Sequence, residues 1–180
     1  MPIKQIENQH DLSLKHQQWL VKNFKNVEAH TINLDRLFET FSLTLNKFDN
    51  EHGFANSRAR LRMTTLYQVA AANKGIVVGT GNKVEDFGVG FYTKYGDGGV
   101  DISPIADCNK TEVWELGKEL GISKEIIDAP PTDGLWDDGR TDEGQLGFSY
   151  NELEDAMTNP DSPHKACLLY TSPSPRDAES

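Results

Sequence analysis

Apolar residues recur three and four positions apart in several stretches of the chain, which is the pattern of a helix with one buried face. A long helix is expected to run to about residue 73 after a cap at Asn56 or Ser57. The same spacing predicts helices over residues 12–24, 35–46, 110–120 and 151–157. The remaining apolar stretches are too short for helices and need another explanation.

Two of these stretches have the character of strands. Residues 26–32 alternate between apolar and polar and predict a short strand. Residues 76–79 form a β-branched run after Gly75, which is typical of a buried parallel strand, and residues 79–107 are glycine-rich and predict mostly loop. The alternation of helices and strands favours an α/β fold with a mainly parallel sheet and no internal domain boundary.

Composition narrows the function classes. The 180 residues carry a formal net charge of -10 and a pI near 4.9, which argues against a general nucleic-acid binder but leaves a nucleotide ligand open. No apolar run approaches the roughly 20 residues of a membrane span, and no signal-peptide pattern is visible. The two cysteines, Cys108 and Cys167, suggest a reducing compartment, so a cytoplasmic protein is expected.

The last residues of the chain do not resemble the rest of the sequence. Residues 167–177 read CLLYTSPSPRD, which resembles a translated sequencing adaptor, so residues 167–180 are interpreted as a non-native tail. The alternative is a natural Ser/Pro-rich disordered tail. The folded portion is expected over residues 1–157, and residues 158–166 are left unassigned.

Three arginines fall in the first two turns of the predicted long helix. Cations at a helix N-terminus are unfavourable by roughly 0.3–1 kcal/mol each. Arg60 also shares a helical face with Met63 and Tyr67, and an arginine on an apolar stripe should be paired or bound to an anion. An anionic ligand would meet this need. The alternatives are solvated arginines or pairs with the chain's own carboxylates.

The segment after the predicted strand 76–79 is a candidate ligand site. Ligands of open α/β sheets bind beyond the carboxyl ends of strands, where Gly79 and Gly81 would allow close approach and Thr80 would offer a hydroxyl. Glu85 and Asp86 follow and are natural Mg²⁺ ligands beside a phosphate. An ordinary turn with two solvated acids explains the same residues.

A second candidate lies around a predicted turn at Asp97-Gly98-Gly99. Lys94 and Asp101 flank this turn and could place opposite charges on one ligand. A plain hairpin is the alternative, because Asp-Gly-Gly is a strong turn signal.

These segments together carry a family resemblance. The quoted blocks are Ala59-Arg60, Arg62-Met63, GTGNKVEDFGVGFYTKYGDGGVDISPI over 79–105, Asn109-Lys110, residues 129–136, Asp142-Glu143 and Leu146-Gly147. Their order and spacing over about residues 1–157 resemble the ammonia-dependent NAD synthetase family of N-type ATP pyrophosphatases. The resemblance implies a Rossmann-like open, mainly parallel sheet flanked by helices, of the adenine nucleotide alpha hydrolase type and incomplete at its N-terminus.

The same resemblance implies a ligase of NAD biosynthesis. Its members adenylate deamido-NAD with ATP and Mg²⁺, and ammonia then displaces AMP to give NAD. A homodimer is implied, and the ammonia could come free or from a glutaminase partner. The family's Ser-Gly-Gly-x-Asp-Ser loop is not found in this sequence. The polypeptide alone is therefore expected not to make NAD.

Residue roles follow from the resemblance by position. Deamido-NAD would be contacted by Arg60, Lys94 and Asp101. ATP would be contacted by Thr80, Lys110 and Thr132, and Mg²⁺ would be ligated by Glu85. The family's C-terminal His-Lys pair is not assigned to His164 and Lys165, because these lie too close to the preceding helix.

Two alternatives stay open. A sister ATP pyrophosphatase, such as a GMP synthetase or asparagine synthetase module, would lack the Thr-Lys-Tyr-Gly-Asp-Gly-Gly block at its spacing from Glu85. A non-catalytic remnant could instead hold a dinucleotide or a partner subunit.

Overall fold

The structure is a computed structural model that describes residues 1–136 and 138–165. The proposed adaptor-derived tail over 167–180 lies outside the described residues, as does residue 166. Within the described part the helices are α1 (Glu7–Asn23), α2 (Asp35–Thr44), α3 (Glu51–Ala72), α4 (Lys110–Glu119), α5 (Lys124–Ile127), α6 (Asp142–Leu146) and α7 (Tyr150–Thr158). A 3-10 turn spans Asn46–Phe48, and a π-helix spans Val84–Val89.

The predicted α/β fold with a mainly parallel sheet, Rossmann-like and incomplete at its N-terminus, is wrong for this chain. The described residues are mainly helical and contain one isolated parallel bridge, between Val78 and Ile102. Residues 26–32 are not helical but are assigned to no strand. An alternating segment becomes a strand only when a neighbour accepts and donates its backbone hydrogen bonds, and sequence patterning does not reveal whether that neighbour is present.

The predicted buried parallel strand over residues 76–79 is also absent from the described residues. Val77 is buried, but Ile76 is 60% exposed and Val78 is 53% exposed. Among the described residues, the backbone of this stretch bonds to residues 101 and 102: Gly79 N donates to Ile102 O at 2.7 Å, and Val77 O accepts from Asp101 N at 3.0 Å. The predicted strand, buried on both faces, is in fact a short extended segment with one apolar face in contact with solvent.

Two apolar clusters hold the helices together. The first contains Val84 and Val89 of the π-helix with Tyr150 and Leu153 of α7, and Trp114 of α4 packs against it. The second consists of Ile3, Leu34 and Phe38, with Phe54 and Leu61 of α3 at its edge. The first cluster brings α4, α7 and the π-helix to one place. In the described part, no helix is both long and apolar enough to cross a bilayer.

Helix α3 begins earlier than its sequence predicts. Asn50, and not Asn56 or Ser57, is the cap, because its Oδ1 accepts from Gly53 N at 2.6 Å. The side chains of Asn56 and Ser57 donate to carbonyls one turn back, inside the helix. The three arginines consequently lie in the middle of α3, and the helix-dipole argument for an anion beside them does not apply.

The buried arginine of α3 is also a different one from that expected. Arg60 is exposed, whereas Arg58 is only 9% exposed and donates from Nη1 to Leu135 O at 3.0 Å. Arg62 donates from Nε to Met1 O at 3.1 Å, and burial followed by repulsion from Arg58 lowers the pKa of its guanidinium. Arg58 and Arg62 therefore donate to backbone carbonyls within the fold. Because Arg60 is exposed, its position on the helix does not require a bound anion.

Candidate functional site

A partly buried cation and carboxylate meet where α4, α7 and the π-helix converge. Lys110 Nζ lies 2.7 Å from Glu85 Oε1, and the two side chains are only 17% and 16% exposed. The Tyr150 hydroxyl donates to the same Oε1 at 2.7 Å. The Lys110 ammonium also lies over the Tyr150 ring, 4.8 Å from its centroid. We call Glu85, Lys110 and Tyr150 the buried centre.

Local capping fixes the position of Glu85. Asn82 is 2% exposed, and its Oδ1 accepts from Val84 N at 3.0 Å and from Glu85 N at 3.1 Å. Gly81 packs directly on the Asp86 carboxylate, so that a Cβ at this position would collide with it. The turn that begins the π-helix is therefore held by a buried amide, and a side chain at position 81 would force the Asp86 carboxylate to shift.

Lys110 and Tyr150 are each the first residue of a capped helix. Asn109 N donates to Glu112 Oε2 at 2.7 Å at the start of α4, and Ser149 N donates to Glu152 Oε2 at 2.8 Å at the start of α7. In both helices a glutamate at the third position accepts from the backbone N–H of the cap residue, which sets the first turn and hence the direction of the first side chain. The Thr111 hydroxyl joins the two helices by donating to Glu154 Oε2 at 2.6 Å.

Further carboxylates surround the buried centre. The pKa values of Asp86, Asp97 and Asp142 are all raised, in each case first by burial and then by negative neighbours that include Glu85. For Asp142 the pKa rises to about 6, and its Oδ1 is buried without a hydrogen-bond partner in the described part of the chain. Burial and the neighbouring Glu85 also raise the pKa of Tyr150, so its hydroxyl stays protonated and acts as a donor. This excess of negative charge attracts cations.

The second pair of predicted residues lies at the surface. Arg60 Nε donates to Lys94 O at 3.0 Å, and both residues are exposed. The loop that carries Lys94 is held on α3, because Thr93 Oγ1 donates to Asn56 Oδ1 at 2.6 Å and Gly96 packs on Ala59 too closely for a Cβ. The structure thus brings Arg60 to the backbone of Lys94 at the surface, while the Lys94 ammonium lies over the Tyr95 ring, 5.3 Å from its centroid.

The other three residues predicted to contact a ligand, Asp101, Thr132 and Thr80, lie outside the hydrogen-bond network of the buried centre. Asp101 accepts from the Tyr67 hydroxyl at 3.1 Å and from Val77 N at 2.7 Å. Thr132 Oγ1 accepts from Gln9 Nε2 at 3.0 Å, and Thr80 is exposed in the turn before the π-helix. Among the described residues, none of these three is hydrogen-bonded to Glu85 or Lys110.

The C-terminal pair His164 and Lys165 is engaged locally. His164 Nε2 lies 4.0 Å from Glu152 Oε1, and Lys165 Nζ donates to Pro160 O at 3.4 Å. Neither contact reaches the buried centre.

The described residues do not form a complete metal cage by themselves. Over residues 1–136 and 138–165, no three His, Cys, Asp or Glu side chains converge to hold a metal ion by themselves. Mg²⁺ commonly takes one or two carboxylates and completes its shell with phosphate oxygens and water. Glu85, with both of its hydrogen bonds from described residues on Oε1, fits a single-ligand role of this kind.

The sequence assigns no role to Tyr150 or Asp142, although Asp142-Glu143 is one of the blocks that carry the family resemblance. The run Ser149-x-x-Glu152 signals a helix start and could have placed Tyr150 at the first position of α7. That its hydroxyl meets a side chain 65 positions earlier could not be read from the spacing.

Comparison with known proteins gives a consistent picture. A family model described as NAD synthase matches residues 1–167. The NH(3)-dependent NAD(+) synthetase of Carboxydothermus hydrogenoformans is 42% identical over 139 residues, which is 75% of this chain and 56% of that protein. The corresponding synthetase of Alkaliphilus oremlandii is 50% identical over 111 residues, which is 62% of this chain and 44% of that protein. The chain thus spans about half the length of the curated relatives it matches.

Solved structures agree with this result. A structure described as NMN synthetase from Francisella tularensis matches with a TM-score of 0.84 and 30% identity, over 98% of this chain and 72% of that one. The NH3-dependent NAD synthetase from Campylobacter jejuni, in complex with the nitrate ion, matches with a TM-score of 0.64 and 25% identity, over 95% of this chain and 65% of that one. The resemblance seen in the sequence is confirmed: the chain belongs to the NAD synthase family.

Proposed function

We propose that this chain takes part in the ATP-dependent amidation of deamido-NAD to NAD, with ammonia as the nitrogen donor. The observation that carries the proposal is the buried centre: Lys110 and Glu85 come from segments 25 positions apart and meet at 2.7 Å in a chain of this family. A cation that can turn to a phosphate lies beside a carboxylate that can take a metal ion, and ATP chemistry requires both.

The reaction has two steps. A carboxylate oxygen of the nicotinate ring attacks the α-phosphorus of ATP, and pyrophosphate leaves. The ammonia nitrogen then attacks the activated carboxyl carbon, the bond to the phosphate oxygen breaks, AMP leaves, and a proton from nitrogen is released. Both steps build negative charge on leaving phosphates, which nearby cations stabilise.

The residues divide into three proposed roles. Lys110, with Thr80 and Thr132, contacts ATP, and a lysine suits this task as a compact charge for phosphate. Arg60 and Lys94, with Asp101, contact deamido-NAD. Glu85 holds Mg²⁺, which supplies charge neutralisation of the triphosphate when it is bound.

The proposed dinucleotide contact is tested by titrating the 180-residue chain with deamido-NAD by calorimetry. Arg60→Gln is expected to weaken binding about tenfold, because an exposed arginine–phosphate contact contributes roughly 1.5 kcal/mol. Arg36→Gln, which removes an exposed arginine from α2, is the matched control and should leave the affinity unchanged. Equal effects of the two substitutions, or no binding to the unaltered chain, would contradict the assignment.

Competing substrates separate the alternatives. The Francisella protein described as NMN synthetase has the higher TM-score of the two solved relatives, which favours the acid form of a nicotinamide mononucleotide as a second candidate substrate. The curated relatives favour the dinucleotide. Preference for the mononucleotide would support the second candidate, and preference for xanthosine monophosphate would support a sister ATP pyrophosphatase.

Turnover separates an enzyme from a binding remnant. Because this sequence contains no Ser-Gly-Gly-x-Asp-Ser run, we expect the polypeptide to bind nucleotide without forming NAD when it is supplied with ATP, deamido-NAD and ammonium. NAD formation above the background of a Lys110→Met preparation would refute this expectation. The homodimer and the ammonia source stay predictions from the family, and the cytoplasmic location stays a prediction from composition.

A further inference from the structure

The buried centre contains one residue whose place the proposed roles do not explain. Tyr150 is only 1% exposed, and its ring packs with Val84, Val89 and Leu153 and meets Trp114 edge to face at 6.0 Å. A phenylalanine would fill the same space without a buried polar group. The hydroxyl therefore has a cost that its contacts must offset.

The contacts of that hydroxyl are unequal. It lies 2.7 Å from Glu85 Oε1 and 3.3 Å from Asp142 Oδ2. A phenol has one hydrogen, so the shorter contact takes it and Tyr150 donates to Glu85. The backbone of Tyr150 is fixed as well, because its N donates to Glu143 Oε1 at 2.9 Å. The direction of the donor is consequently set from both ends of the residue.

Two donors share one oxygen of Glu85. Lys110 Nζ and the Tyr150 hydroxyl both approach Oε1, each at 2.7 Å. This arrangement leaves Oε2 as the oxygen that a cation would use. The two donors differ in freedom: the lysine has a long flexible stem, whereas the tyrosine is locked in the apolar cluster.

We propose that Tyr150 is a positioning residue, which keeps Glu85 oriented when Lys110 leaves it for an anionic ligand. The inference rests on the proposed roles of Glu85 and Lys110. If Lys110 were the only partner of Glu85, its move to a phosphate would release the carboxylate at the moment when a cation needs it. The tyrosine hydroxyl stays in place and keeps Oε2 available. Groups that orient a metal-binding side chain in this way commonly change metal affinity by about 10–100-fold when removed.

Crystal structures of two variants test the positioning without any nucleotide. Lys110→Met imitates the departure of the lysine, and Glu85 is expected to keep its rotamer with Oε1 hydrogen-bonded to Tyr150. In Lys110→Met/Tyr150→Phe the carboxylate is expected to turn away or to occupy several rotamers. An unchanged Glu85 in the double variant, or a displaced Glu85 in Lys110→Met alone, would overturn the proposal.

Calorimetry of ATP binding supplies the functional readout for Tyr150→Phe, which keeps the ring and the packing. The expected result is a loss of about tenfold in affinity measured with MgCl2 and a change of less than about twofold measured with EDTA. Tyr92→Phe, at an exposed tyrosine, should alter neither value. Equal losses in both buffers would show a purely structural role and overturn the proposal, as would no loss in either. An unaltered chain with no magnesium-dependent gain would count against the proposed function, while the crystal structures still decide the role of Tyr150.

Discussion

The two cation sites of this chain differ in how they are held. Lys110 lies in the buried centre, where its ammonium contacts Glu85 and lies over the ring of Tyr150. Arg60 and Lys94 lie on an open surface, where Arg60 donates to the backbone carbonyl of Lys94. The buried centre has its geometry before any ligand arrives, whereas the surface pair can adapt to one. Under the proposed roles, the enclosed lysine would contact the reacting phosphates, and the exposed pair would contact the larger substrate.

The largest expected effect comes from removing the packing behind the buried centre. Leu153 is fully buried in the cluster that positions Tyr150, so Leu153→Ala should lower the free energy of unfolding by about 2–5 kcal/mol. Leu43→Ala, at an exposed leucine of α2, should change it by less than about 0.5 kcal/mol. Urea denaturation measures both. Similar values for the two variants would show that α7 does not depend on this core.

A smaller change in the free energy of unfolding is expected from breaking a buried ion pair, compared with an exposed pair of similar length. Lys110 lies 2.7 Å from Glu85, and Lys118 lies 2.6 Å from Glu115 with side chains that are 55% and 70% exposed. Lys110→Met should cost about 2 kcal/mol of unfolding free energy, because it leaves a shielded carboxylate without its cation. Lys118→Met should cost less than about 1 kcal/mol. Equal costs by urea denaturation would mean that burial does not strengthen the first pair.

The smallest stability effect depends on pH. Because the pKa of Asp142 is raised to about 6 in the fold, the folded chain holds a proton that the unfolded chain has released. Its contribution to stability is therefore present at low pH and is lost as the pH rises from about 4 through about 6. Asp142→Asn removes this loss and should raise stability by about 1–2 kcal/mol at pH 7.5 without magnesium, with little difference at pH 4. Thermal unfolding at the two pH values measures it, and a gain that is larger at pH 4 would contradict the burial of a charged Asp142.

The helices were more predictable than the sheet for a physical reason. The spacing of apolar residues is a local property, and α2, α4 and α7 begin within one residue of their predicted starts. The predicted start of α3 is wrong because the cap, Asn50, lies six residues before Asn56. A sheet requires partners from distant parts of the chain, and in the described residues only Val78 and Ile102 meet as such partners.

The candidate site was predictable only in part. The family resemblance predicts Glu85 and Lys110 as site residues, and the structure brings them into contact. Their roles stay predictions. The physical argument offered for Arg60 was wrong, since the buried arginine is Arg58. Tyr150 was missed because its role depends on a tertiary contact, and Asp142 was missed because its raised pKa depends on burial.

The most direct test of the account is the affinity of the chain for ATP in the presence of MgCl2, measured by calorimetry on the unaltered chain, Lys110→Met and Lys118→Met. The account predicts that the unaltered chain and Lys118→Met bind equally and that Lys110→Met binds at least about tenfold more weakly, since a charge-assisted contact to phosphate contributes roughly 1.5–3 kcal/mol. An unaltered chain that does not bind ATP, or a Lys110→Met variant that binds as tightly as Lys118→Met, would contradict the claim that the buried centre is a nucleotide phosphate site.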